Sequence, residues 1–399
     1  MKYHGIFIAD LHIGAIEKKQ LEMELKKGLY PFIETHDLDF VMFCGDYFDR
    51  KFYLNEEHAV FATEVLYEID RLLKPEAKIR MIYGTKSHEQ DQYDSFQVLK
   101  THRDFDIIYH AKEEELFPEM HVLYLPEELL VDTTSYYQEF FQEENRYDLI
   151  VGHGIIKETM QKAAHAIEEK KSVKRKVPIF RSAELMSSCK GMTIFGHYHV
   201  STYLPDTPHQ ACYVGSFSRW KFGEEEPKGF LYGTFNTKKS EWNTDFIPNR
   251  MAKCYKTVAI GYQNQAFQSV ESLKEVLDRY ETMTKQNAYD HIKINFNIPE
   301  TCENAEYYIE FIKERFKHQE DIKINITNGY IEKKREDSKR ELKEDYEKYA
   351  PIFDPDTKLE DQVSYFVEVQ YDRKISPNLV STYLYQSLND ILHVELETE

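Results

Sequence analysis

Phe40-Val41-Met42-Phe43-Cys44-Gly45-Asp46-Tyr47-Phe48-Asp49-Arg50 runs an unbroken apolar stretch into a glycine, two acids and a guanidinium. A short continuous apolar run predicts a strand buried on both faces, and strands of that kind belong to parallel sheets covered by helices. Sheets of this class present ligands just outside the carboxyl ends of their strands. Asp46 is therefore the candidate for an oxygen that bridges metal ions.

Toward the N-terminus, Gly5-Ile6-Phe7-Ile8-Ala9 reads as a second buried strand, and it ends in Asp10-Leu11-His12. Residues i and i+2 leaving a strand point the same way, so Asp10 and His12 can close on one ion. Between the two strands, Leu21, Leu25, Leu29, Phe32 and Ile33 follow helical spacing, which makes a βαβ unit. Beyond Arg50, Val60, Phe61, Val65, Leu66, Ile69 and Leu72 predict one apolar side of a helix over 59–73. The strand Ile79–Tyr83 then leads into Gly84-Thr85-Lys86-Ser87-His88-Glu89. Strands are expected at 107–109 and 122–125, and Tyr147–Val151 runs into Gly152-His153-Gly154. Met192–Phe195 ends in Gly196-His197-Tyr198-His199, which repeats the i, i+2 geometry of Asp10 and His12. The segments 213–216, 229–232 and 242–247 are expected as antiparallel strands closing a second sheet.

The chain has 399 residues, enough for two or three domains. With 30% charged and 41% apolar residues it has a globular composition. It has no apolar run long enough to span a bilayer, and Met1 leads straight into a strand, so a cytoplasmic protein without a signal peptide and without membrane contact is expected. The cysteines Cys44, Cys189, Cys212, Cys254 and Cys302 form no CxxC pair and predict neither zinc nor redox chemistry. A net charge of −19 excludes a protein that grips nucleic acid through a generally basic surface. The densest basic run, Lys170-Lys171-Ser172-Val173-Lys174-Arg175-Lys176, lies in an insertion over 155–178. It reads either as a solvated loop or as an arm whose Lys170, Lys171, Lys174, Arg175 and Lys176 contact phosphates. Three domains are expected, over 1–248, 249–330 and 331–399. The middle one has a βαβαβ pattern. The last begins with a charged run over 331–349 and ends in an amphipathic helix carrying Leu379, Val380, Tyr383, Leu384, Leu388, Ile391 and Leu392.

Asp10, His12, Asp46, His153, His197 and His199 make a mixed oxygen and imidazole set, which suits Mn²⁺, Fe or Zn²⁺ better than Mg²⁺ or Ca²⁺. Two such ions sharing a carboxylate are suited to phosphoryl chemistry. His88 is the candidate proton donor to a leaving alkoxide, Asp49 its orienting partner, and Arg50 a ligand for a phosphate oxygen. A GxxxxGK[ST] loop is absent, so ATP binding by that means is excluded.

The five blocks Asp10-x-His12, Gly45-Asp46-x-x-Asp49-Arg50, Ser87-His88-Glu89, Gly152-His153 and Gly196-His197-x-His199 resemble those of the calcineurin-like metallophosphoesterases. The resemblance implies a two-sheet α/β sandwich flanked by helices, with a small α/β capping domain and a C-terminal helical segment. It implies that Asp10, His12 and His199 hold one metal, His153 and His197 the other, and Asp46 both. It also implies His88 as proton donor, with Asp49 beside it. The family places an asparagine ligand of the second metal where this chain has Ser87, so either Ser87 ligates there or water does. Tyr213-Val214-Gly215-Ser216 through Phe222-Gly223-Glu224 and Lys228-Gly229-Phe230 is similar to the SbcD-type DNA repair exonucleases, and the third block resembles phage-encoded members. That likeness implies Mn²⁺-dependent 3′-to-5′ exonuclease and single-strand endonuclease activity on DNA, an SMC-like (SbcC-type) ATPase partner and a homodimer. For a phage-encoded protein the compartment would be the host cytoplasm. The terminal amphipathic helix would contact the ATPase or pack on its own domain. Two rival readings stay open: a phosphatase or small-substrate phosphodiesterase of the same class, and a non-catalytic scaffold that binds DNA ends.

Overall fold

The computed structural model describes residues 1–128, 133–162, 177–261, 266–299, 302–328 and 357–386, apart from single positions at 54, 91, 206, 208, 288, 303, 320, 372, 384 and 385. The basic run with Lys170, Lys171, Lys174, Arg175 and Lys176, the charged run over 331–349 and the end of the amphipathic terminal segment lie outside the described residues. Two compact units emerge. The first comprises 1–257 with 282–293 and 321–323; the second comprises the described parts of 258–281, 294–320 and 324–399.

In chain order the strands of the first part are β1 (Lys2–Ile8), β2 (Phe40–Phe43), β3 (Lys78–Ile82), β4 (Asp104–Ile108), β5 (Lys112–Phe117), β6 (Met120–Leu125) and β7 (Tyr147–His153). There follow β8 (Ile155–Ile156), β9 (Ile179–Phe180), β10 (Cys189–Gly196), β11 (Thr202–Tyr203), β12 (Ala211–Tyr213), β13 (Gly229–Asn236) and β14 (Glu241–Pro248). They build two six-stranded mixed sheets, β14-β13-β1-β2-β3-β4 and β11-β12-β10-β7-β6-β5, plus the short pair β8-β9. In each large sheet four neighbouring strands run parallel, β1 to β4 in one and β12, β10, β7 and β6 in the other. Antiparallel strands flank both.

The period of two in a strand sorts each apolar run between two cores. On β1, Ile6 and Ile8 face a helical layer with Leu21, Leu25, Leu29, Phe61, Val65 and Ile69. Phe7 and Ala9 face the other way and meet Val122, Leu149, Val151 and Ile194 of the second sheet. The outer face of that sheet, with Leu123, Ile150 and Phe195, packs on Ile156 and Leu185. The unit is thus an α/β sandwich of two sheets between helical layers, and burial on both faces explains why the central strands read as unbroken apolar runs. The helix after β2 spans Glu57–Leu72. Its apolar side is the expected one except at Val60, which is half exposed.

Two expectations about the sheets change, and one further strand appears. β13 and β14 do not close the second sheet; they extend the first, β13 lying antiparallel along β1 from Lys2↔Asn236 to Phe7↔Leu231. β12 does belong to the second sheet, but parallel to β10. β5, with the sequence KEEELF, is a strand that apolar content alone does not announce; it survives at an edge by pairing with β6. In the remaining part, β15 (Tyr255–Ile260), β16 (His291–Ile298) and β17 (Ile322–Asn328) form a three-stranded sheet in that order, alternating with helices Val270–Asn287 and Ala305–Phe316. The second unit buries Leu273, Leu277, Ile294, Phe296, Ile312 and Phe316. Among the described residues no helix is long and apolar enough to cross a membrane.

Candidate metal centre

Parallel pairing outlasts β1 and β2, and this builds the first half of the site. The amides of Asp10, His12 and Ile13 donate to the carbonyl oxygens of Gly45, Asp46 and Tyr47 at 3.1, 3.0 and 3.0 Å. In the second sheet Gly196 pairs with His153, so the histidines after β10 emerge beside the end of β7. The carboxyl ends of the two sheets supply the two halves: Asp10, His12 and Asp46 from one, His153, His197 and His199 from the other. They are stitched together where the His197 amide donates to both carboxylate oxygens of Asp10, at 3.1 and 3.0 Å.

Two groups of donor atoms result, Asp10 with His12 and His199, and Asp46 with His153 and His197. Asp46 Oδ2 stands 3.3 Å from His153 Nε2 and 3.6 Å from His12 Nε2, so a single oxygen touches both groups. Asp10 Oδ1 lies 3.6 Å from His199 Nε2 and 3.9 Å from His12 Nε2. These spans are long for hydrogen bonds. They fit shared coordination: two donors each about 2.1 Å from one ion stand about 3.0 Å apart at right angles and about 4.2 Å when opposite. His12 is buried, and neither of its ring nitrogens makes a hydrogen bond. A buried imidazole left unsatisfied at both ends, aimed at carboxylate oxygens, is what a cation would complete. The backbone agrees, since Asp10, His12, Asp46 and His197 all adopt positive φ, at 49°, 43°, 50° and 91°. Such conformations cost about 1–3 kcal/mol each and concentrate at functional sites. The residues present therefore fit a metal ion.

Two glycines allow the approach. A Cβ on Gly84 would lie 2.3 Å from the Asp46 nitrogen and 2.4 Å from its Oδ1, and one on Gly45, at φ 86°, would strike the His153 ring at 2.2 Å. Gly84 also frees the Thr85 amide to donate to Asp46 Oδ1 at 2.6 Å, leaving Oδ2 to the histidines. Burial alone would raise the Asp46 carboxyl, but the charge of the adjacent His153, with His12 and His88 beyond, holds it well below the usual carboxylate range. His153 is the counterpart: burial lowers it, yet Asp46 pushes it up to about 10. That proton is what a bound cation would displace. Its Nδ1 donates to the Cys44 carbonyl at 2.8 Å, so Nε2 is the nitrogen turned toward Asp46. Behind both, the buried Glu89 is raised to about 8 by burial and by the Asp46 charge, and it accepts the Tyr47 amide at 2.8 Å.

The other expected residues divide. His88 packs edge-on against His12 at 4.8 Å and forms a third group with His12 and Asp49. Its Nδ1 donates to the main-chain oxygen of Asp49, whereas the Asp49 carboxylate sits 3.5 Å from His12 Nδ1. Asp49 thus holds His88 through its backbone and adjoins His12 through its side chain, a change from the expected carboxylate contact. Arg50 is exposed, pairs with Glu56 at 2.7 Å and lies over the Phe52 ring. Ser87 is exposed on the one-turn helix Lys86–Glu89.

Three further residues at the site lie outside the five metal-type blocks. Glu224 Oε1 accepts from His199 Nδ1 at 3.0 Å, turning Nε2 toward Asp10, and the buried Lys228 lies 3.6 Å from its other oxygen. Trp220 covers the first group, its ring 4.5 Å from His12 and 4.6 Å from His199. Glu127, after β6, places Oε2 3.2 Å from His197 Nδ1 and 4.0 Å from His153 Nε2. Only Glu224 and Trp220 lie in a segment that the sequence marks out, as they fall between Phe217 and Lys228. No protein-family model matches the chain, and no curated protein matches it.

Proposed function

We propose that the chain is a metal-dependent DNA phosphodiesterase of the calcineurin-like class, the nuclease subunit that works with an SbcC-type ATPase in DNA end processing, recombination or repair. The observation that carries this reading is the single oxygen, Asp46 Oδ2, lying between His12 and His153 where two donor groups meet. On this reading Asp10, His12 and His199 would hold one Mn²⁺, His153 and His197 a second, and Asp46 both. A bound pair of such ions would supply Lewis acidity toward a phosphoryl oxygen and would make water more acidic.

The chain's own residues supply the rest. Asp10 and Asp46 concentrate negative charge where cations and not phosphates are wanted, Glu224 orients His199 through its hydrogen bond, and the Asp49 carboxylate adjoins His12. A main-chain oxygen can only accept, so His88 Nδ1 carries a proton toward Asp49, and the proton offered to a leaving alkoxide comes from Nε2. Trp220 shields the first group from water on one side. The net charge of −19 fits a substrate met at the cations and through a partner's field rather than on a basic surface.

Digestion of end-labelled single- and double-stranded DNA with and without Mn²⁺, with and without a candidate ATPase, tests the proposal. Metal-dependent shortening is expected. Turnover of a small aryl phosphate ester with no cleavage of DNA would replace it by the phosphatase reading, and no turnover of either by the scaffold reading.

A further inference from the structure

We infer that Glu127 is the anionic ligand that completes the second metal position, in the role for which Ser87 is the sequence's only candidate. This rests on the metal reading above and deepens it.

Register brings Glu127 to the place. β6 runs parallel to β7 with Leu125 beside Gly152, so the chain leaving β6 emerges next to His153. The Glu127 amide then donates to the Tyr83 carbonyl at 3.1 Å, tying this loop to the residue before Gly84 in the other sheet. The two adjacent glutamates part company here. Glu128 is consumed structurally, taking the Ala111 amide and the His110 ring, each at 2.8 Å. Glu127 turns into the site, only 3% exposed.

A buried carboxylate needs a counter-charge. Among the described residues Glu127 pairs with no Lys or Arg; its ionic neighbours are His197 and His153, and the Thr85 hydroxyl donates to it at 3.3 Å. The contact with His197 Nδ1 is short at 3.2 Å but leaves that nitrogen without a hydrogen bond. Spans of 3.2 and 4.0 Å from one oxygen to two imidazole nitrogens match neighbouring and nearly opposite donors around one ion, about 3.0 and 4.2 Å. The third-block loop brings only a neutral oxygen here. The Thr85 hydroxyl comes within 3.4 Å of His153 Nε2 and is hydrogen-bonded to Glu127, and Ser87 faces solvent. The second position is then Asp46, Glu127, His153 and His197, two carboxylates and two imidazoles, more negative than an amide would leave it. That ligand set favours a divalent cation held tightly without help from the substrate.

The full chain, stripped with chelator and titrated with Mn²⁺ alone, provides the test by calorimetry, metal content and electron paramagnetic resonance. The unaltered chain is expected to take two ions with a spin-coupled spectrum. Glu127→Gln keeps the volume and loses the charge; the second ion should bind at least about 100-fold more weakly, because even partners one shell further out cost 10–100-fold. The spectrum should become that of an isolated ion. Glu127→Asp should fall between the two, and it carries the test if circular dichroism shows Glu127→Gln unfolded. Two ions bound with unchanged affinity in both Glu127 variants, or loss of the second ion in Ser87→Ala, would overturn the inference while leaving the metal reading intact. An unaltered chain that takes no Mn²⁺ would overturn both.

Discussion

Replacing Arg80 by methionine tests whether charge pins the two sheets together across their interface, on which the site depends because each sheet supplies half of it. Arg80 sits in β3 with its side chain 3% exposed. Its Nε and Nη2 meet both Glu114 oxygens, at 2.9 and 2.5 Å, across the sandwich on β5. Nη2 also meets Asp104 at 2.8 Å, and Nη1 donates to the carbonyl oxygens of Ile79 and Asp104. Removing one member of a buried ion pair costs about 3–5 kcal/mol, since the partner stays charged and buried. Here the lower end applies: Glu114 is 22% exposed and keeps the Tyr124 hydroxyl at 2.9 Å, and Asp104 is 49% exposed and keeps Lys78. Arg80→Met should therefore cost about 3 kcal/mol, a midpoint shift of about 1 M urea at a slope of about 3 kcal/mol/M. Trp220 and Trp242 both belong to the first unit, so tryptophan fluorescence reports its unfolding. Adding Glu114→Gln should return about half of the loss, because it removes the stranded charge. The pH dependence has a definite sign. Burial raises the Glu114 carboxyl, but the hydrogen bond and charge of Arg80 outweigh it and hold the group below its ordinary 4.5. A depressed carboxyl contributes its stability above that pH and loses it as pH falls through the folded value. The gap between native chain and variant should narrow below about pH 4.5. A cost under about 1 kcal/mol, or a double variant whose loss equals the sum of the two single losses, would show that these charges do not hold the sheets together.

His88→Gln should leave Mn²⁺ binding intact by calorimetry and slow DNA cleavage by about 10²–10⁴-fold, the usual worth of a positioned proton donor; an unchanged rate would remove His88 from the mechanism. Glu224→Gln should weaken Mn²⁺ by about 10–100-fold through loss of the carboxylate that aims His199, and an unchanged titration would show that His199 is oriented by other contacts. Gly84→Ala drives a methyl group to within 2.4 Å of Asp46 atoms, so it should abolish binding of both ions and lower the melting temperature. Two ions bound at native affinity would mean that the Asp46 loop yields more readily than its packing indicates.

The buried parallel strands were legible in the chain because they are covered on both faces, and an apolar run such as Ile6-Phe7-Ile8 does not suit a strand with one wet face; the sandwich of two sheets followed from the resemblance. The metal-type residues were legible for a related reason. Strand geometry sends i and i+2 the same way, so Asp10 with His12 and His197 with His199 announce themselves as pairs. Placement of β13 and β14 was not legible, since alternation shows that a strand has a buried face but not which sheet offers it; β13 finds its partner in β1, more than 200 residues away. Arg80 and Glu114 read as stray charges in or beside strands until the second sheet is laid over the first.

Periodicity and turn chemistry act within a few residues, so the chain alone was enough to specify the central apolar strands, the helix after β2 and which side chains leave those strand ends. Which oxygen lies between two histidines, which face of His88 is occupied by a carbonyl, and which of Ser87 and Glu127 reaches the second group became settled only in the assembled fold. Those facts depend on how two separately formed sheets are set against each other, and an offset of a few ångströms would exchange a ligand for a surface residue.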